Sequence, residues 1–181
     1  MANEVKLNVG CGTDIRDGFI NIDGSDRLQN IDKIIDMDKE TLLNHFDENS
    51  ISYILAYDIL EHRFHWEAVQ LLKDFYQLLK IGGRIELRLP DCEYIIKDSF
   101  ISIPRKLNLM FGGQDIPQGN NEQDESRKKF PQFFCHKYGW TRKTLTESLN
   151  DIGFHIIEIS KGKRFGITKK VDTNMHILAE K

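Results

Sequence analysis

The feature that most constrains the fold is a short run near the N-terminus that ends in two glycines. Val5 to Val9 is an apolar stretch, and it is followed directly by Gly10, Cys11 and Gly12. A short apolar run stopped by glycine is typical of a buried strand in a parallel sheet. Glycines at this position allow a ligand to approach the backbone closely. The pattern therefore predicts an α/β fold with a ligand site directly after the first strand.

Strands and helices alternate along the rest of the chain. Further strands are predicted over Phe19–Ile22, Lys33–Ile35, Ile51–Tyr57, Arg84–Leu89, Phe154–Ile159 and Met175–Ala179. This alternation predicts a doubly wound, Rossmann-like sheet and a single domain over residues 1–181.

Two helices carry clear boundary signals. Helical spacing of apolar residues predicts a helix over residues 66–79, with its end at Gly82 and Gly83. A second helix is predicted over residues 141–151, with Thr141 as its N-cap and Trp140 packing on Leu145.

A long segment over residues 91–140 separates the fifth strand from the last helix. It begins with a helical stretch over residues 92–110 and continues as a polar segment over residues 111–132. A minimal α/β unit does not need such a segment, and long loops are often functional. We therefore expect residues 91–140 to form a lid or a substrate-facing insertion. The sequence leaves open whether its part at 111–135 is ordered without a ligand.

Composition excludes several classes of protein. The net charge of -3 provides no general attraction for nucleic acid or for an anionic membrane. The three cysteines are far apart, so neither a disulfide framework nor a structural zinc site is predicted, and a reducing cytoplasm is expected. No signal-peptide core and no apolar run of about 20 residues is present in the sequence.

The glycine motif departs from that of dinucleotide-binding proteins. Those proteins use Gly-x-Gly-x-x-Gly, with an acidic residue about 20 positions further on. Here Ile15 stands at the third glycine position, and Asp23 comes too early. The provision for a pyrophosphate is missing, whereas an aspartate that ends the second strand can accept hydrogen bonds from both hydroxyls of a ribose. The sequence favours an adenosyl ligand without phosphates, such as S-adenosylmethionine.

Five ordered motifs extend this interpretation over nearly the whole chain. They are "LNVGCG…GFINID", "IDMD", "ILAYDILEH", "LLKIGGRIELRLPD" and "HKYGWTRKTLTESLNDIGF". In this order they resemble class I S-adenosylmethionine-dependent methyltransferases, and most closely a small bacterial group. The resemblance implies a mostly parallel seven-stranded sheet whose last strand is antiparallel. The chain departs from the family at Ile81, where proline is usual, and it starts without the N-terminal helices of larger relatives.

The resemblance also implies which residues hold S-adenosylmethionine. Gly10 and Gly12 would line its methionine part with Cys11 between them, and Asp23 would bind the ribose. Asp36 would lie near the adenine amino group and Met37 on the ring. Asp38 and, less favourably, Asp32 compete for the acidic role. Ala56 and Tyr57 would border the cofactor, although Tyr57 is equally consistent with ordinary packing.

Two histidines are the candidates for catalysis. His136 lies at the end of the long segment, and it could serve as a general base, contact the substrate or simply cap a helix. His62 follows Glu61 in "EHRFH", where a structural hydrogen-bonding role is favoured over metal ligation with His65. No metal site is predicted.

The predicted function is methyl transfer from S-adenosylmethionine to a small polar acceptor, such as a sugar hydroxyl. Two alternatives remain: a non-catalytic module that binds an adenosyl ligand or a protein, and an NAD-linked or nucleotide-sugar enzyme. The expected partner is a small-molecule substrate, and binding to nucleic acid or to a membrane is not expected. The sequence leaves open whether the chain forms a homodimer.

Overall fold

The computed structural model describes residues 4–112, 114, 128–129, 131–161, 163–165 and 170–181. Its main feature is a seven-stranded sheet in the order β3-β2-β1-β4-β5-β9-β6, beside a two-stranded sheet of β7 and β8. The strands are β1 Val5–Val9, β2 Ile20–Asp23, β3 Lys33–Ile34, β4 Ile51–Tyr57, β5 Leu79–Pro90, β6 His155–Ser160, β7 Lys163–Phe165, β8 Lys170–Asp172 and β9 Asn174–Glu180.

The seven-stranded sheet is parallel except for its last strand. Strand β1 pairs in parallel with β2 and β4, and β4 pairs in parallel with β5. Strand β9 runs antiparallel to both of its neighbours, β5 and β6. The predicted sheet architecture is therefore confirmed. The strand order changes direction between β1 and β4, which is where ligands bind in open α/β sheets.

Four helices accompany the sheet within the described residues. They are α1 His65–Leu78, α2 Cys92–Lys97, α3 Ile103–Phe111 and α4 Arg142–Ile152. Helices α1 and α4 contact each other and share one hydrophobic core with alternate residues of the central strands. Phe75 of α1 and Leu149 of α4 are completely buried in this core together with Ile54 of β4. Both crossover helices therefore lie on the same face of the sheet.

The opposite face of the sheet is polar and partly exposed. Residues 10–32, all of which the structure describes, contain no helix. Alternation along the strands brings Tyr53, Tyr57, Glu86 and Arg88 to this face. The hydroxyls of Tyr53 and Tyr57 both donate to the carboxylate of Glu86. Polar cross-strand bonds thus stabilise this face of the sheet.

The boundary between α1 and β5 differs from the prediction. The helix ends at Leu78, and the backbone of Leu79 is already extended, so neither Gly82 nor Gly83 caps the helix. Opposite them the pairing of β4 with β5 shifts register, from Ile51 with Leu79 to Tyr53 with Arg84. Gly82 has a φ of +74°, which fits a glycine in a bulge of the strand.

The predicted helix over residues 92–110 is two helices. Helix α2 ends at Lys97, and Ser102 and Pro104 begin α3. Proline is accepted in the first turn of a helix but not in its interior, so Pro104 forces a new start. The middle of the predicted lid, residues 115–127, lies outside the described residues. The hairpin of β7 and β8 was not predicted.

The start of the last helix agrees with the sequence. The hydroxyl of Thr141 accepts a hydrogen bond from the backbone N–H of Thr144 at 3.1 Å, as an N-cap does. Trp140 and Leu145 are both buried in the core. Gly153, with a φ of +116°, ends the helix in the left-handed conformation.

An ion pair between a buried carboxylate and a partly exposed arginine connects this helix to the end of β5. The carboxylate of Asp91 is completely buried, accepts from the backbone N–H of Tyr94 at 3.1 Å and lies 3.2 Å from Nε of Arg142. Removing one partner of such a pair leaves a charge without compensation. The pair fixes α4 relative to the carboxyl end of β5.

Arg142→Ala is expected to lower the free energy of unfolding by about 2–3 kcal/mol, because the buried carboxylate of Asp91 loses its cation. Lys143→Ala is the matched control, since the Lys143 side chain is 79% exposed and its pair with Glu147 lies on the surface. The control should change the free energy by less than about 0.5 kcal/mol. Urea unfolding measures both, and equal effects would contradict the role of Arg142.

None of the helices in the described ranges is both long enough and apolar enough to cross a membrane.

Candidate active site

The glycine loop after β1 has the conformation that its sequence predicts. Gly10 and Gly12 have φ values of +64° and +52°, in the left-handed region. A Cβ atom at Gly10 would come within 2.6 Å of Cδ1 of Ile59, whereas a Cβ atom at Gly12 would meet nothing within 4 Å. Gly10 is therefore required by packing against the loop after β4, while Gly12 faces open space.

Cys11 takes part in this loop through its backbone. Its N–H donates to the carbonyl of Ile22 at 3.0 Å, and its side chain is buried. Burial, with a smaller contribution from the charge of Asp23, raises the pKa of the thiol to about 11. A contact between Cys11 and a cofactor stays a prediction.

Asp23 lies at the carboxyl end of β2, beside the glycine loop. Its Oδ2 accepts a hydrogen bond from the backbone N–H of Gly12 at 2.9 Å, and its Oδ1 accepts one from Ser25 at 3.0 Å. Since a carboxylate oxygen has two lone pairs, each oxygen keeps one for a ligand hydroxyl. The carboxylate of Asp23 is thus held directly beside Gly12.

The segment after β3 adjoins the same edge. The N–H of Ile35 donates to the carbonyl of Asp23 at 2.9 Å, and a Cβ atom at Gly24 would lie 3.4 Å from Cα of Asp36. The carboxylate of Asp36 is 2.7 Å from Nζ of Lys39. This contact lowers the pKa of Asp36, so the group is ionised at neutral pH.

Of the competing acids, Asp32 has a structural role. Its carboxylate accepts from the backbone N–H of Asn21 at 2.7 Å and from its side-chain amide at 3.0 Å. Asp38 lies 3.2 Å from Arg63 and lines a cleft, so it remains an alternative to Asp36.

The cleft beside Met37 has a volume of about 770 Å³. It is lined by Met37, Asp38, Lys39, Glu40, Thr41, Leu42, Arg63, Trp66, Glu67, Gln70, Leu71, Asp74 and Lys137. Met37 is half-buried and packs against the core. Trp66 is 68% exposed, so an aromatic surface borders this cleft.

Two of the predicted cofactor residues, Ala56 and Tyr57, lie at the end of β4. Ala56 is buried in the core. The ring of Tyr57 lies on the polar face of the sheet, 4.7 Å from the Arg88 guanidinium and 6.1 Å from the His176 ring. A contact between the Tyr57 ring and a cofactor stays a prediction.

Asp58, which sequence reasoning did not select, follows β4 in a strained conformation. Its φ is +56°, which is uncommon outside glycine although aspartate tolerates it. Its N–H donates to the carbonyl of Arg88 at 2.7 Å, and its carboxylate pairs with the Arg88 guanidinium. The only sequence signal was an aspartate at the end of a strand.

The two candidate catalytic histidines meet in the structure. His62 and His136 have ring centroids 4.9 Å apart, in an edge-to-face arrangement. Nδ1 of His62 lies 3.1 Å from the carbonyl of Cys135. His65, by contrast, packs its ring 4.7 Å from that of Tyr138.

Burial keeps both imidazoles neutral. It lowers the pKa of His62 to about 4, with a further contribution from His136. Burial also lowers the pKa of His136, where hydrogen bonds with the backbone of Met110 and Leu109 oppose the change. Each ring therefore has one nitrogen lone pair available at neutral pH.

Glu61 completes this group. It is only 3% exposed, and its Oε2 has no hydrogen-bond partner among the described residues. Burial, followed by the charge of Asp58, raises the pKa of this carboxyl to about 8. Its backbone carbonyl accepts from the N–H of Lys137 at 2.7 Å, which binds the end of the long segment to the turn Leu60–His62.

No family model and no curated protein matches this sequence. Solved structures of S-adenosylmethionine-dependent methyltransferases do match the fold. One from Archaeoglobus fulgidus superposes with a TM-score of 0.66 and 14% identity, over 99% of this chain and 87% of that chain. One from Methanosarcina mazei gives 0.64 and 17%, over 100% and 94% of the two chains. One from Mesorhizobium loti gives 0.64 and 13%, over 98% and 90%.

The chain has the class I methyltransferase fold. The expectation drawn from the five motifs is confirmed at this level. Within the methyltransferase fold, the glycine loop after β1 and the turn after β4 lie side by side where the strand order reverses, because Ile59 packs on Gly10. The histidine pair belongs to the same edge of the sheet through the turn Leu60–His62.

Proposed function

We propose that the protein is an S-adenosylmethionine-dependent methyltransferase acting on oxygen of a small polar acceptor, such as a sugar hydroxyl. The observation that carries the proposal is the loop between β1 and β2. It places an open glycine, Gly12, beside an aspartate with free lone pairs, Asp23. It does so without a helix between residues 10 and 19.

The lack of a helix in that described loop argues against a dinucleotide. Rossmann proteins bind the pyrophosphate at a helix N-terminus, where backbone N–H groups and the helix dipole favour the negative charge. Here the N–H of Gly12 is occupied by the carboxylate of Asp23, which would repel a phosphate. A ligand with a ribose and a cationic amino-acid part suits this carboxylate better.

We assign the cofactor residues as the family resemblance implies. Asp23 would accept hydrogen bonds from the ribose hydroxyls, and Gly10 and Gly12 would border the methionine part. Met37 would contact the adenine ring from the cleft of about 770 Å³, with Asp36 or Asp38 near the exocyclic amine. S-adenosylmethionine, when bound, supplies a methyl group on a positively charged sulfur.

The histidine pair would serve the acceptor. Methyl transfer is an in-line displacement from a good leaving group, so orientation of the acceptor provides much of the acceleration. His136 would accept the proton of the acceptor: burial lowers its pKa, while hydrogen bonds with the backbone of Met110 and Leu109 favour its protonated form. His62 would hold the acceptor hydroxyl by a hydrogen bond.

Isothermal calorimetry with S-adenosylmethionine, S-adenosylhomocysteine and NAD tests the proposal. We expect micromolar binding of both adenosyl compounds and none of NAD. Binding of NAD alone would replace the proposal with an NAD-linked enzyme. Adenosyl binding without methyl transfer to any of a broad set of sugars and other hydroxyl compounds would favour a non-catalytic module.

A further inference from the structure

Glu61, His62 and His136 form a set of three potential metal ligands. One carboxylate oxygen and one ring nitrogen from each histidine lie within 4.8 Å of one another. The sequence separates His136 from the other two by more than 70 residues, which is why no metal motif is visible in it.

The two histidines have the partners that metal-binding histidines usually have. A ligating imidazole almost always donates its other N–H to a carbonyl or a carboxylate, which fixes the tautomer and the ring orientation. Nδ1 of His62 has the carbonyl of Cys135 at 3.1 Å. Because a carbonyl oxygen can only accept, this contact places the proton on Nδ1 of His62 and leaves a lone pair on its Nε2. The ring of His136 also has backbone partners, at Met110 and Leu109.

Glu61 supplies the independent observation. Only 3% of Glu61 is exposed to solvent, and its Oε2 has no hydrogen-bond partner among the described residues. A buried polar atom without a partner is rare, because it loses its hydrogen bonds to water and gains none in the protein. A cation between the carboxylate and the two imidazoles would satisfy this atom.

We propose that Glu61, His62 and His136 bind one divalent transition-metal ion per chain, with Zn²⁺ as the best fit. Two imidazoles and one carboxylate are a donor set that suits zinc and related ions, whereas Mg²⁺ and Ca²⁺ prefer oxygen ligands throughout. Three protein ligands leave a coordination position open, as in catalytic rather than structural zinc sites.

The role of the ion rests on the proposed function, although its binding does not. An acceptor hydroxyl in the open position would lose its proton to solvent more easily, because a metal ion lowers the pKa of a bound oxygen. That oxygen then forms the bond to the methyl carbon, and the electron pair of the broken C–S bond stays on sulfur. The ion would thus promote loss of the proton from the acceptor, the step in which His136 would act as the base if no metal were bound.

Metal titration of the full chain tests the proposal. The protein is freed of metal by a chelator, and Co²⁺ is then followed by its visible spectrum and Zn²⁺ by calorimetry, both without any adenosyl compound. We expect saturation at one ion per chain. His62→Gln and His136→Gln should each weaken Zn²⁺ at least tenfold, since loss of even an outer-shell partner costs about 10–100-fold.

His155→Gln is the matched control, because His155 is exposed on β6 and should leave the affinity unchanged. A wild-type protein that shows no saturable binding at one ion per chain would overturn the proposal, whatever the variants do. Loss of binding in Cys135→Ser with retention in His136→Gln would assign the ion to the thiol and overturn it as well. Adenosyl binding, measured separately in chelator, decides the proposed function independently.

Discussion

Asp23→Ala is expected to weaken binding of S-adenosylmethionine by one to two orders of magnitude. A hydrogen bond between a charged carboxylate and a ribose hydroxyl is worth roughly 1.5–3 kcal/mol, so the net loss of one such bond accounts for this change. The substitution also releases the N–H of Gly12, now held at 2.9 Å from Oδ2, so the glycine loop loses one of its constraints. Calorimetry at constant salt measures the dissociation constant of wild type and variant.

Asp26→Ala serves as the matched control for this experiment. Asp26 is exposed in the loop after β2, so the substitution changes the net charge equally without touching the glycine loop. Its dissociation constant should stay within about twofold of wild type, because exposed charges act weakly through water. A folded Asp23→Ala protein that binds as tightly as wild type would remove Asp23 from the cofactor site.

The sheet was predictable because each central strand carries a strong local signal. Ile51–Tyr57 is a β-branched and aromatic run, and the structure forms β4 over the same residues. The boundary of α1 and β5 was not predictable, because a glycine pair can end a helix or form a bulge. Register with β4 decides between the two, and register depends on residues about 30 positions away.

Part of the candidate site was likewise predictable from the sequence, and part of it was not. Gly10, Gly12 and Asp23 are close in sequence, so their proximity in space follows from one strand-turn-strand unit. His62 and His136 could be selected only one by one, since their contact depends on the return of the long segment to the turn after β4. The burial of Glu61 depends on tertiary packing and leaves no local signal, and the left-handed conformation of Asp58 leaves only an aspartate at the end of a strand.

Two glycines in one loop make a sharper test of where the cofactor lies. Gly12 and Gly18 have φ values of +52° and +78°, and a Cβ atom at either would meet nothing within 4 Å of protein. An alanine at either position would have to adopt the left-handed conformation, which costs roughly 1–2 kcal/mol. The two variants are therefore matched in what they do to the protein itself.

Gly12→Ala is expected to weaken S-adenosylmethionine at least tenfold, whereas Gly18→Ala should change the affinity by no more than about twofold. The added methyl group at position 12 would enter the space beside Asp23 that a ligand needs for close approach to the backbone. Alanine keeps the N–H that donates to Asp23, so only that space is lost. Calorimetry measures the affinities and thermal unfolding the stabilities. If Gly12→Ala and Gly18→Ala had equal stability and bound S-adenosylmethionine equally well, the cofactor would not approach the backbone at Gly12. The proposed contact between the ribose and Asp23, beside Gly12, would then be wrong as well.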